Sequence, residues 1–566
     1  MSKIEKWLEE THGPGFELLR HFLATFFHSD LITAPGQMTP ALIGAFSVFL
    51  PWFPLIVAPL RGKYAFLSAL PSPIPYRRAI EADELWLITL MMSAIAFLTA
   101  IKWQSIFPGL RDYRSLASLP LRPYKVFSAK LLALLLVGTA AILVLNFLPS
   151  VLFPIVSGSH WAINPSFTRR VLVHATASIL GCYFSFFALV ALQGLLLTGL
   201  HPRVFNRISG FLQGLVVPVM LGFIILSFSI QPKVLSRVLQ PDLARWLPPV
   251  WFLGLYQRML GDPDPVMGAL AGRAITGVFV SMLLTLGTYV LSYHRHRVSV
   301  LVGVPTPSRI RNWLFDILDR SIPQAREQAV IGFIARTLSA SSQHRMIFMA
   351  YIGSGLAILL SGLLGMHNVV RSTELTAASF IYAHIILCMF LLIGLRHLFS
   401  IPVELKANWI FQITEEEGRR QWLNAVDRFV LFLAAGLLLA PFPIEFKLLG
   451  WRAINESILI AAFGLLCFEL IFYSWEKLPF TCSHLPGKVP MWIRALQLFA
   501  ILGLLPAVNA ILLACLYNRF LFAAALLVLI GVWVPTQLLR KENQGSLRLK
   551  YDELPEPAVH SLNLLK

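Results

Sequence analysis

The feature that most constrains this chain is a recurring run of about 20 apolar residues, the length a helix needs to cross about 30 Å of hydrocarbon. A backbone inside a bilayer must satisfy its own N–H and C=O groups, which leaves helices or a closed barrel. Barrel strands alternate in polarity and are about ten residues long. The runs here are continuous and rich in Leu, Ala, Ile and Val, so they are read as helices. Twelve are predicted, at 38–60, 85–105, 126–153, 171–199, 209–230, 267–293, 346–365, 376–395, 427–441, 453–474, 491–516 and 520–538. Charged residues make up only 13% of the chain, against about 25% in soluble proteins. The fold class predicted is all-α: a polytopic membrane protein of about twelve transmembrane helices in two six-helix pseudo-repeats.

Residues 1–37 carry charge throughout and precede the first run, so that run is read as an anchor rather than a cleaved signal. The formal net charge is +18. Basic residues are expected at the cytoplasmic ends of spans, and no nucleic-acid-type Lys/Arg block occurs, so no nucleic-acid partner is expected. With the N-terminus inside, Lys and Arg are about twice as numerous in the inner segments as in the outer loops. Arg77, Arg78, Arg169 and Arg170 run against that trend. The expected location is the cytoplasmic membrane of a bacterium, with both termini cytoplasmic.

The organisation that follows is an N-terminal cytoplasmic or interfacial segment (1–37), a first six-span half (38–293), a cytoplasmic linker (294–345), a second half (346–538) and a cytoplasmic tail (539–566). Before each half lies an amphipathic stretch. In "FELLRHFLATFF", Phe16, Leu19, Leu23, Phe26 and Phe27 share a helical face. In "EQAVIGFIARTL", Val330, Phe333, Ile334 and Leu338 do the same. Such helices lie in the membrane interface or pack on the protein itself; the interface is the expectation here.

Between the second and third spans of each half sits a long charged segment. The first holds Arg111, Asp112, Tyr113 and Arg114. The second holds Glu404, Lys406 and Asn408, then Thr414 and Glu417 in a capping-box pattern. Glu415 and Glu416 suit the first turn of a helix presenting Arg419 and Arg420. A solvated charged loop is the plainer reading of either segment alone.

The five cysteines form no CxxC pair, and "TCSH" (Cys482, His484) is half a metal site without a second half. No metal, cofactor or catalytic constellation is expected; "HRHR" (294–297) reads as a basic stop at a span end. His174 and His384 stand singly on apolar faces and read as hydrogen-bonded packing residues, not relays. Glu456 and Glu469 lie near opposite ends of one span. Intramembrane charge is therefore sparse for an ion-coupled carrier. No GxxxxGK[ST] phosphate cradle is present. Energy for active transport would have to come from a separate ATPase gripping two short charged handles.

The residues that carry those handles also carry a resemblance. "WQSIFPGLRDYRSLASLPLRPYKVFSAKLLALL", "IPVELKANWIFQITE" and "LPPVWFLGLYQRMLG" resemble segments of the large, full-length bacterial ABC-2-type permeases. The resemblance implies two six-span halves, a coupling helix between second and third spans, and a separate nucleotide-binding subunit. Two copies of that subunit per chain would bind ATP and Mg, leaving this chain without an ATPase site. Arg111, Asp112, Tyr113, Arg114, Glu404, Lys406, Asn408, Glu415, Glu416, Glu417, Arg419 and Arg420 would contact it. An outer re-entrant element before the last span of a half would hold Trp246, Trp251, Phe252 and Tyr256. The second half departs, since only "LYNRF" joins its last two spans. The function implied is that of an exporter permease.

The cargo expected is amphipathic or apolar: a lipid, lipid-linked glycan or drug. The first, second and fifth spans offer few polar groups, namely Ser47, Thr89, Ser93, Thr99 and Gln213. An ion-coupled secondary transporter and a membrane-embedded enzyme or scaffold stand as alternatives.

Overall fold

Local chemistry sets where the first long helix, α1 (Pro73–Ile101), begins. Ser72 stands at its N-cap, accepting from the Ile74 N–H, and Pro73 follows with a φ already suited to a helix and no N–H to leave unpaired. The computed structural model describes residues 15–24, 26, 60–107, 123–164, 166–227, 235, 239–302, 324–366, 372–403, 419–481 and 491–546. Among these residues the regular structure is helical throughout, with no strand. The chain divides into two units, Met1–Pro305 and Thr306–Lys566.

In the first unit α1 is followed by α2 (Pro123–Val156), α3 (Phe167–Gly199), α4 (Pro202–Ser227), α5 (Pro248–Leu260) and α6 (Pro265–Val302). Of the long apolar helices α1 is the most buried, and it packs on α3, α4 and α5. Helix α5 is apolar but has only 13 residues, about 20 Å at the helical rise, too short to cross a bilayer. It ends at Gly261, whose φ of 105° needs a glycine. The Asp262 N–H bonds back to the Gln257 carbonyl to close the helix. At Gly254 an added Cβ would lie 2.4 Å from the Leu270 Cβ, so the missing side chain lets α5 and α6 touch along their backbones.

The amphipathic stretch at 15–24 turns Leu18 and Phe22 into the protein, with Phe26 just beyond. The Nζ of the buried Lys130 sits 4.6 Å above the Phe22 ring and 5.2 Å above the Phe26 ring. One face of this helix packs on its own protein, and those rings shelter the lysine.

In the second unit run α7 (Ala325–Ala340), α8 (Ser342–Met366), α9 (Ser372–Phe399), α10 (Arg419–Leu439), α11 (Phe442–Leu449), α12 (Arg452–Phe472), α13 (Met491–Tyr517) and α14 (Arg519–Ser546). Helix α9 is the most buried of the long ones and contacts α8, α10, α12 and α13. Val330, Ile331 and Ile334 of α7 join its core. Below α9, Phe399 is ringed by Phe429, Phe472, Trp475 and Phe480. Phe480 holds φ 67°, rare for a bulky residue. Its N–H reaches the Phe399 carbonyl at 2.9 Å and its carbonyl accepts from Val403. Two backbone bonds and a buried ring fix that conformation.

Nine helices among the described residues are long and apolar enough to cross a membrane, with shorter apolar stretches at Ile208–Ile224 and Gly503–Tyr517. Nine of the twelve predicted runs coincide with the long helices, 209–230 and 491–516 overlap the two shorter stretches, and 38–59 lies outside the described residues. Outward faces carry large apolar side chains such as Phe147, Phe211, Val290, Leu527 and Phe520, the last 88% exposed. That pattern suits lipid, not water. The chain is an all-α, multi-pass membrane protein.

Candidate functional site

Helix α1 begins at Pro73 where a span was expected from 85, and the extra turns carry Glu81, Asp83 and Glu84 into the helix. Asp83 and Glu84 are buried. Each has a cationic or proton-donating partner on another element. Lys63 binds both Asp83 oxygens at 2.7 and 2.8 Å, and the Tyr64 hydroxyl donates to Oδ2 at 2.7 Å. Burial, then the Asp83 charge, holds the Tyr64 phenol well above its usual range. Glu84 accepts from His174 Nδ1 on α3 at 2.8 and 3.0 Å, with both side chains fully enclosed. His174 is a buried, hydrogen-bonded packing histidine, as its sequence context suggested, and its partner is the carboxylate of Glu84. The signal was present: "EADE" (81–84) abuts an apolar run and demands partners.

Beside this network lies a cleft lined by Tyr76, Glu81, Trp161, Arg170, Tyr256 and Gln257, among others. Arg170 is buried, and its Nε and Nη1 have no hydrogen-bond partner. The Tyr76 hydroxyl donates to the Ser157 carbonyl. A guanidinium in such a place can receive an anionic or carbonyl group entering the cleft.

The second unit has its own buried charges. Arg540 of α14 donates to Glu469 of α12 at 2.9 Å and to Asp427 of α10 at 2.6 Å. Arg540, expected in a cytoplasmic tail, instead ties three helices together, and its guanidinium lies 4.8 Å from the Phe468 ring. Arg428 of α10 pairs with the buried Glu327 of α7. His384 of α9, Glu445 of α11 and Glu456 of α12 converge, and all three are buried. His384, read singly, stands beside a carboxylate, its Nε2 lying 3.3 Å from Glu445 Oε1. Buried charged side chains among the described residues thus gather in groups. Their members come from different helices far apart in sequence, which local spacing cannot reveal.

Of the proposed ATPase contacts, Arg111, Asp112, Tyr113, Arg114, Glu404, Lys406, Asn408, Glu415, Glu416 and Glu417 lie outside the described residues. Arg419 and Arg420 open α10. Of the four aromatic residues expected in the outer element, Trp246 is 83% exposed, whereas Phe252 and Tyr256 are buried against α3 and α6 neighbours. The Trp251 indole N–H donates to the Ala244 and Arg245 carbonyls, folding the turn before α5 onto it. Phe252 and Tyr256 face protein, because α5 is enclosed by α1, α3 and α6. The four described cysteines, Cys182, Cys388, Cys467 and Cys515, are free thiols. Comparison with family models, with curated proteins and with solved structures finds no match.

Proposed function

We propose that this chain is the membrane-spanning permease subunit of an ATP-driven ABC exporter, energised by separate nucleotide-binding subunits and moving an amphipathic or apolar cargo. The observation that carries the reading is α5: apolar, too short to span, buried on α1, α3 and α6, and placed immediately before the last long helix of its unit. That is where the resemblance calls for an outer re-entrant element. Non-helical backbone at membrane depth is tolerated where protein encloses it, and the turn before α5 fits that rule. The helix order of the second unit, a short amphipathic helix and then paired long helices around residues 404–418, supports a second six-span half.

In this reading twelve spans form two pseudo-repeats with both termini in the cytoplasm of a bacterium. The segments around Arg111–Arg114 and Glu404–Arg420 act as handles for the ATPase, tilting the helices that flank them. Arg170 and the cleft beside it would meet the polar end of a cargo whose apolar part lies along the helices.

The chain purified alone is expected to hydrolyse no ATP, and on affinity purification from its native membrane to bring down a soluble Walker-motif ATPase. Specific ATPase activity in the isolated chain, or native purification without any ATPase, would defeat the reading. A second reading, an ion-coupled carrier, is favoured by the buried Glu84–His174 pair and the His384–Glu445–Glu456 cluster. Cargo movement in vesicles driven by an ion gradient without nucleotide selects it.

A further inference from the structure

The cluster of His384, Glu445 and Glu456 has the composition of a metal centre. One ligand atom from each residue lies within 4.8 Å of the other two, and the three side chains are 3%, 0% and 1% exposed. His384 Nε2 and all four carboxylate oxygens have no hydrogen-bond partner. This separates the site from Arg540, Asp427 and Glu469, whose charges satisfy one another. Two carboxylates withdrawn from water with no donor to serve them are costly, and a cation held between them removes the cost.

The histidine is set for ligation. Its Nδ1 lies 2.9 Å from the Phe380 carbonyl one turn back on α9. A carbonyl can only accept, so Nδ1 carries a proton, and in the neutral ring Nε2 then offers its lone pair on the side of Glu445. The Leu438 carbonyl also borders the ring. The 3.3 Å between Nε2 and Glu445 Oε1 matches the ligand-to-ligand edge of a tetrahedral zinc site, about 3.3 Å for bonds near 2.05 Å. Two carboxylates and a neutral imidazole around a divalent ion leave no net charge, the state a low-dielectric interior favours. An imidazole with two carboxylates suits zinc and its neighbours better than calcium or magnesium, which take oxygen-only shells.

We propose that His384, Glu445 and Glu456 bind one divalent transition-metal ion of the zinc class, joining α9, α11 and α12. The inference stands independently of whether the chain serves an ABC transporter. Its physical consequence is a clip: α11 is a short helix between α10 and α12, and metal at Glu445 would hold it against α9.

The test uses the full chain in detergent, stripped with a chelator and titrated with Co2+ and with Zn2+. The wild type is expected to bind a single equivalent of either and to melt at a higher temperature when loaded. Cobalt should give the visible ligand-field bands of a four- or five-coordinate N/O site without a thiolate band. The Cys388→Ser/Cys467→Ser double variant should behave alike, since these thiols are not ligands here. Glu445→Gln and Glu456→Gln keep side-chain shape and should weaken binding at least about tenfold; His384→Gln should do the same. Wild type that takes up no metal would overturn the proposal. So would binding that survives undiminished in Glu445→Gln/Glu456→Gln.

Discussion

At the scale of single residues, the informative side chains are the charged ones inside apolar helices. Arg540 answers two acids at once, so its loss strands Glu469 and Asp427 together. Arg540→Met is expected to cost about 3–5 kcal/mol, read as a lowered melting temperature in detergent. Adding Glu469→Gln and Asp427→Asn to that variant should recover much of the loss, because no unpaired charge then remains. An Arg540→Met variant that melts like wild type would show the triad to be idle. Little of this was legible in the sequence. His174 and His384 each looked solitary, and Arg540 looked like tail, because their partners sit 90, 61 and 71 positions away: Glu84, Glu445 and Glu469. Local periodicity reports which face of a helix is apolar but not which buried acid faces which base.

At the scale of elements, sequence did better, for apolar length is a local property. Every predicted run within the described residues lies on a helix, and the errors are at ends. Helix α1 starts early, and from Ala79 onward its added turns are largely buried in protein, where paired acids are tolerated. The α5 segment stood out in the sequence only through the resemblance, and its enclosure by three helices was not legible. That enclosure turns on Gly254. Gly254→Ala places a methyl against the Leu270 Cβ and 3.0 Å from the Met267 carbonyl. Forcing α5 off α6 should cost about 1–3 kcal/mol. Gly268→Ala on α6, with nothing within 4 Å of the added Cβ, should be neutral or gain up to about 1 kcal/mol from helix propensity. Thermal melts of the two variants side by side check the contrast; equal melting would mean the α5–α6 contact yields freely.

At the scale of the whole molecule, each unit closes its own cores, and the buried acid–base contacts named above lie within one unit. Residues 1–305 and 306–566 expressed as separate chains are therefore each expected to retain helical circular dichroism and a cooperative melt in detergent. Loss of cooperativity in either fragment would show that its core needs the other. The acids gathered at the start of α1 bear on how such a molecule is made. A carboxylate at mid-bilayer costs an isolated helix about 2.5–3.5 kcal/mol during insertion. Asp83 finds Lys63 just upstream, but Glu84 must wait until His174 has emerged from the ribosome, 90 residues later. Arg540 comes last of all, into a helix whose two counter-charges are already in place. Helix-by-helix release into lipid would thus leave charges exposed for much of synthesis. Retention of α1 beside the exit channel until α3 arrives would spare Glu84 that cost, and the order of the chain would then be the order in which these charges find partners.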